Sequence, residues 1–258
     1  MEKADRRFAG KEEEKMKFYR NEHIEEIADR RLREFEAKME RPVSPPIDIE
    51  LFGELVLGLS ILWEKIDELP GEEILAGLRT AEKLIIMNED RRAQMDEKTG
   101  RCRLTQGHEM GHWDLFVDKS KLEHPKLFDE VSPSIFAYRS STSGQVQIIQ
   151  RLLACEEGQE LLRQIASRAD TPDEARSVNR YAAAILMPRA LMTDEAKKID
   201  RTQWGTLWRK LYPMADRYGV TVSALRVRFE QLNLLYVDQE NKKVYPTRED
   251  AQGQQNLF

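Results

Sequence analysis

Residues 101–116, RCRLTQGHEMGHWDLF, constrain this chain more than any other stretch. Within them His108, Glu109 and His112 spell H-E-x-x-H. In a helix the two histidines stand at i and i+4, one above the other on a single face, so both imidazoles can reach one ion. Glu109 is turned by about 100° from His108, and its carboxylate then faces a water on that ion rather than the ion itself. Two nitrogen ligands with a base beside the water are the layout of a zinc hydrolase. The chain has only 4 His, and two of them fall at this spacing with a Glu in the required place. That favours a metal site over an amphipathic helix with incidental histidines. Gly111 lies in the helix interior, where Gly costs about 1 kcal/mol relative to Ala, and its presence there predicts the close approach of another backbone. Leu104, Leu115 and Phe116 supply an apolar side, so the segment can be half buried.

Composition sets the outer limits. At 258 residues the chain can bury a good core, as one large domain or a main domain with an appendage. A net charge of −5 and a pI near 5.6 argue against a general drive towards nucleic acid or a membrane surface. No apolar run approaches the ~18 residues of a membrane span, and residues 1–17 lack the apolar region of a secretory signal. Cys102 and Cys155 make no disulfide framework. A cytoplasmic protein without a membrane partner is the expectation. Cys102 is near enough to the motif to be a ligand, but reads first as a buried small side chain.

Four regions follow in order. Residues 1–41 read as a charged helical arm, with Ile24, Ile27, Ala28, Leu32 and Phe35 at helical spacing. Arg30, Arg31 and Arg33 alternate there with Glu25, Glu26, Glu34 and Glu36, which predicts a solvated face rather than a nucleic-acid stripe. Residues 41–46, RPVSPP, break the helix and mark a boundary. A core over 42–198 begins with a short helix at 47–57. Leu59, Ile61 and Trp63 predict a strand, Pro70-Gly71 a turn, 83–88 (KLIIMN) a second strand, and 90–100 a polar loop before the motif helix. A small sheet of this kind supplies an edge for an extended peptide. Residues 117–143 are polar and long for a loop, and loops of that length tend to be lids, binding loops or disordered. Helical periodicity returns over 145–166. Thr171-Pro172, with Asp173 and Glu174 behind it, opens a helix that stops at Pro188.

Residues 199–246 form the third region. Ala215 to Leu232 has the cadence of a helix, a Gly-containing turn and a second helix. Thr221 and Ser223 would open the second helix, with Arg226 and Arg228 exposed on it. Such a pair can place a helix in the DNA major groove. Without an excess of basic charge it is better read as a docking unit for a protein substrate or partner. Residues 234–237 and 242–245 predict a terminal hairpin, and 247–258 a disordered polar tail. The fold class is therefore α+β, mainly helical, with a small sheet packed on the H-E-x-x-H helix and a C-terminal helix-turn-helix-like region.

Residues 101–112, R-x-R-x-T-x-x-H-E-x-G-H, followed by 179–188, NRYAAAILMP, resemble the ImmA/IrrE family of metallo-endopeptidases. Residues 45–57 and 208–236 are similar to further segments of that family, so the likeness extends loosely over 42–237. It implies a zincin-like core and a cytoplasmic zinc protease. Its relatives cut a transcriptional repressor to relieve gene silencing, in phage or mobile-element induction or a stress response. It also implies His108 and His112 as zinc ligands, Glu109 as the base and a downstream glutamate as third ligand. The family's glutamate stands four residues before the Asn, where this chain has Ala175.

Three completions are open. Glu174, next to Ala175, reaches the metal from the first turn of its helix. Alternatively Asp173 or one of Glu156, Glu157 and Glu160 does so. Otherwise the site is weakened or inactive, and the chain is a regulatory protein that binds a protein partner or DNA without cutting. An acidic residue at 174 is also what a helix N-terminus favours by its dipole. Asn179 is expected to orient a ligand histidine from behind. Tyr181, Arg101 and Arg103 are candidates for stabilising an oxyanion, against packing or pairing with acids. Zn2+ is the expected ion, although two imidazoles and a carboxylate also suit Mn2+ or Co2+.

Overall fold

The apolar residues after Asn21 recur every three or four positions, and they form one buried stripe. In the computed structural model, which describes residues 19–68, 73–123, 170–199, 207–238, 240 and 243–255, helix α1 spans Asn21–Met39. Ile24, Ile27, Ala28, Leu32 and Phe35 are buried along it, as an amphipathic helix requires. Glu40 ends α1 in the left-handed region, and the prolines beyond prevent the helix from resuming. The stripe joins the same apolar cluster as the elements after residue 42, so α1 is part of the core and not a detached arm.

Asp48 caps helix α2, Ile49–Phe52, by accepting the Leu51 amide at 3.0 Å, and the helix widens into a π turn over Gly53–Leu57. Strand β1, Ser60–Glu64, follows, then β2, Ala76–Arg79, and β3, Leu84–Asn88. The sheet is mixed, in the order β1-β3-β2. β3 runs parallel to β1, with Ile61 opposite Ile85, and antiparallel to β2, with Leu78 opposite Ile85. β2 is the strand that sequence patterning misses. Its residues AGLR carry no β-branched side chain and no alternation, and pairing with the buried β3 makes it a strand.

The polar loop expected over 90–100 is largely helical. A 3-10 turn at Glu89–Arg91 leads into α3, Arg92–Asp96, because Asn88 caps the Asp90 amide at 3.1 Å and Met95 is fully buried. Helix α4, Thr99–Leu115, carries the motif, and α5, Lys119–Glu123, occupies the start of the expected lid. The rest of that lid and the helix expected over 145–166 lie outside the described residues. Helix α6, Pro172–Leu186, begins at an N-cap Thr171 with Pro172 in the first position. Helix α7, Arg189–Lys198, comes next, then α8, Leu207–Tyr218, and α9, Val222–Gln231, which is capped by Thr221. β4, Tyr236–Val237, pairs antiparallel with β5, Val244–Tyr245, as the terminal hairpin predicts. The tail expected to be disordered is helical over α10, Arg248–Gln255. Thr247 and Asp250 cap each other at 2.8 and 3.2 Å, and Ala251 is buried. Among the described residues no helix is long and apolar enough to cross a membrane.

Two charged residues assigned to solvent are inside. Arg228 was expected to be exposed on α9 but is 0 % exposed, and Glu25 of α1 is 2 % exposed. Arg228 donates to Glu25 at 2.6 and 2.8 Å and to the Met187 carbonyl at 2.9 Å, while Arg180 donates to Glu25 at 3.0 Å. Arg31 likewise turns from solvent and donates to Asp114 of α4 at 2.9 and 2.6 Å. Burial alone would raise the Glu25 carboxyl, but Arg228, Arg180 and Arg189 outweigh it and hold it below its usual range.

The folded Glu25 carboxyl therefore titrates below the unfolded value of about 4.3. Its contribution is complete above that pH and is lost as pH falls through the lower, folded value. Glu25→Ala leaves the Arg228 guanidinium buried without its carboxylate and is expected to cost about 3–5 kcal/mol near neutral pH. Denaturant titration checks this, and the difference from the parent should shrink on acidification. Packing generates a second expectation. A Cβ on Gly111 would sit 3.0 Å from Val178 Cα, in the backbone of α6. Overpacking costs about 1–3 kcal/mol against the ~1 kcal/mol that Ala gains in helix propensity. Gly111→Ala should lower the thermal midpoint by about 2–4 °C; a rise would mean that α6 is free to retreat.

Candidate metal centre

Helix α4 presents His108 and His112 one turn apart on its buried face, each 1 % exposed. Their rings stand edge to face with centroids 4.9 Å apart, and their Nε2 atoms are 3.2 Å apart. Helix α6 packs against this face at unusually short range. A Cβ on Gly107 would meet Ala182 Cβ at 3.0 Å, and Gly111 faces Val178 as closely. The close approach predicted from Gly111 is thus the approach of α6.

That contact brings two polar side chains to the rings. Asp170, just ahead of α6, places Oδ2 2.9 Å from His108 Nε2 and Oδ1 3.1 Å from His112 Nε2. Asn179 sits behind His108, with Oδ1 3.0 Å from Nδ1. Among the described residues, His108, His112 and Asp170 are the group that could hold a metal ion. Burial opposes ionisation of Asp170, but its contacts to His108 and His112 outweigh this and hold the carboxyl well below its usual range. Burial pushes the His108 pKa down against the opposing pull of Asp170.

The donor set fits a divalent cation. In the tautomer in which His108 Nδ1–H donates a hydrogen bond to Asn179 Oδ1, the lone pair of Nε2 faces a carboxylate oxygen. A divalent cation shared between this nitrogen and the carboxylate would satisfy both. The two Nε2 atoms are 3.2 Å apart, and each meets a different oxygen of the Asp170 carboxylate, at 2.9 Å from His108 and 3.1 Å from His112. A tetrahedral zinc with bonds of about 2.0–2.1 Å sets its ligand atoms roughly 3.3 Å apart. Glu109 adds a second sign. It is 0 % exposed, and among the described residues neither carboxylate oxygen has a hydrogen-bond partner. Burial, with the charge of Asp170, pushes its pKa well above the usual carboxylate range. A buried acid without a donor beside two imidazoles suits a site that handles a water.

The other residues singled out in the sequence lie as follows. Glu174 does not join the group. Its Oε2 turns back to accept the Thr171 amide at 3.0 Å and the Thr171 hydroxyl at 2.7 Å, closing a capping box. Asp173 is exposed on its own helix and accepts from Arg176 at 2.5 Å. Glu156, Glu157 and Glu160 lie outside the described residues. Tyr181 is buried and donates to Asp114 at 3.1 Å, Arg103 donates to the Ile47 carbonyl at 2.6 Å, and Arg101 faces Glu73 at 3.6 Å. Cys102 is half-buried and apart from the group, its thiol pushed up to about 11 by burial. Asp170 is the residue that sequence reasoning missed. The available signal was an acid directly before an N-cap, a position that projects over the end of the helix and not along its face.

No protein-family model matches the chain, and no curated protein matches its sequence. Asp170→Ala is expected to weaken zinc binding at least about 100-fold, beyond the 10–100-fold typical of an outer partner. Asp173→Ala, three residues on, should leave binding unchanged. Metal analysis after dialysis, with competition against a chromogenic chelator, checks both.

Proposed function

We propose that this chain is a zinc-dependent endopeptidase that cuts a protein substrate. The observation that carries the reading is the buried Glu109, without a hydrogen-bond partner among the described residues, next to two imidazoles that both meet one aspartate. His108, His112 and Asp170 would hold the ion, and three protein ligands leave a position open for substrate or water. A zinc ion bound there supplies Lewis acidity towards a water and a peptide carbonyl.

The remaining work falls to the chain's own groups. Glu109 takes a proton from the attacking water. It returns that proton to the leaving amine as the C–N bond breaks. Asn179 holds the His108 ring in the tautomer whose Nε2 lone pair faces the site. The motifs at 101–112 and 179–188 support a transcriptional repressor as substrate and the cytoplasm as the place of action. They also support a zincin-like core over 42–198. The C-terminal pair α8 and α9 then serves substrate or partner docking rather than DNA. On α9 the exposed side chains are Ser223 and Val227, Arg228 is buried, and Arg226 is paired with Glu230 at 2.8 Å.

One observation favours a second reading. His108, Glu109 and His112 are all buried, which suits a chain that holds the ion and binds a partner without cutting. The zinc-loaded protein incubated with a proteome-derived peptide library separates the two, with new N-termini read by mass spectrometry. The parent is expected to generate them. Glu109→Gln should bind zinc equally and lose at least about 10²–10⁴-fold in rate. Undiminished cleavage by that variant would remove Glu109 as the base, and zinc-loaded parent without cleavage would establish the second reading.

A further inference from the structure

Asp170 lies in no helix, yet its carboxylate meets two rings of α4 at 2.9 and 3.1 Å. A side chain on a connecting residue samples several directions unless its backbone is held. Here the next four residues hold it. Thr171 precedes a proline, which excludes the helical region, and it adopts φ −66° and ψ 154°. Pro172 locks its own φ in the first helical position. The Thr171 N–H belongs to the peptide that joins it to Asp170, and Glu174 Oε2 accepts that N–H at 3.0 Å. The same oxygen accepts the Thr171 hydroxyl at 2.7 Å, while Thr171 Oγ1 accepts the Glu174 amide at 3.3 Å.

From this geometry we infer that Glu174 is a positioning residue for the third ligand. By gripping the peptide plane beside Asp170 it aims that carboxylate at His108 and His112. Affinity for a divalent ion therefore depends on an acid that does not touch the ion. The inference rests on the metal-centre reading above. It differs from a simple dipole role for Glu174, because a dipole needs the negative charge, whereas the grip needs only an acceptor. A capping box works with Glu or Gln at this position.

The test measures zinc affinity by chelator competition, well below the unfolding temperature of every variant, together with the visible absorption of the cobalt-loaded protein. Glu174→Ala is expected to weaken zinc about 10–100-fold and to alter the cobalt spectrum, which reports ligand geometry. Glu174→Gln, which retains the acceptor, should stay within about threefold of the parent with an unchanged spectrum. Parental zinc affinity in Glu174→Ala, even with a lowered thermal midpoint, would reduce the capping box to helix stability and overturn the inference alone. Glu174→Gln as weak as Asp170→Ala would make Glu174 a ligand itself, which also overturns it. A parent without zinc affinity would remove the metal-centre reading and this inference together.

Discussion

The close contact between α4 and α6 is the constraint on which the candidate site depends. Two helices normally keep axes 8–10 Å apart, with the distance set by the side chains between them. Here Gly107 and Gly111 of α4 face Ala182 and Val178 of α6, and a Cβ on either glycine would stand 3.0 Å from its neighbour. The glycines weaken α4 as an isolated helix, and the tertiary contact compensates. Without that approach Asn179 would not reach His108, and Asp170 would not bridge the two imidazoles.

Charge inside the protein ties other elements to this pair. Asp114, two residues beyond His112, receives Arg31 from α1, Lys119 from α5 and the Tyr181 hydroxyl from α6. Glu25 of α1 receives Arg228 from α9 and Arg180 from α6. Buried charges are costly unless each is paired and hydrogen-bonded, so such pairs tolerate few alternative arrangements. The helix carrying the motif is thereby tied to elements far away in the sequence, including an N-terminal helix that lies outside the family resemblance.

Within the site, two carboxylates in adjacent positions are treated in opposite ways. Both are desolvated, but Asp170 meets two ring nitrogens and is held ionised, whereas burial and the charge of Asp170 push Glu109 towards its protonated form. Opposed environments of this kind are how one fold separates a ligand from an acid–base group. The separation follows from position, Glu109 lying on α4 and Asp170 just ahead of the N-cap of α6. Glu109 is rotated about 100° from His108, and Asp170 meets the two rings from outside α4.

Local features were legible in the order of residues. The pairing of His108 with His112, the start of α6 at Thr171-Pro172, the buried stripe of α1, two of the three strands and the short hairpin are all written in spacing, caps and turn residues, which act over a few positions. Gly111 even announced a close neighbour, though not which one. Tertiary structure alone decided the rest. β2 became a strand because β3 offered a ladder. Glu25, Arg31 and Arg228 became interior because partners on distant helices met their charges. The carboxylate beside the two histidines became Asp170 rather than Glu174, because which acid arrives depends on how a second helix is docked and on where its first turn spends its own hydrogen bonds. Local propensity cannot encode that choice, since either acid suits a helix N-terminus equally well.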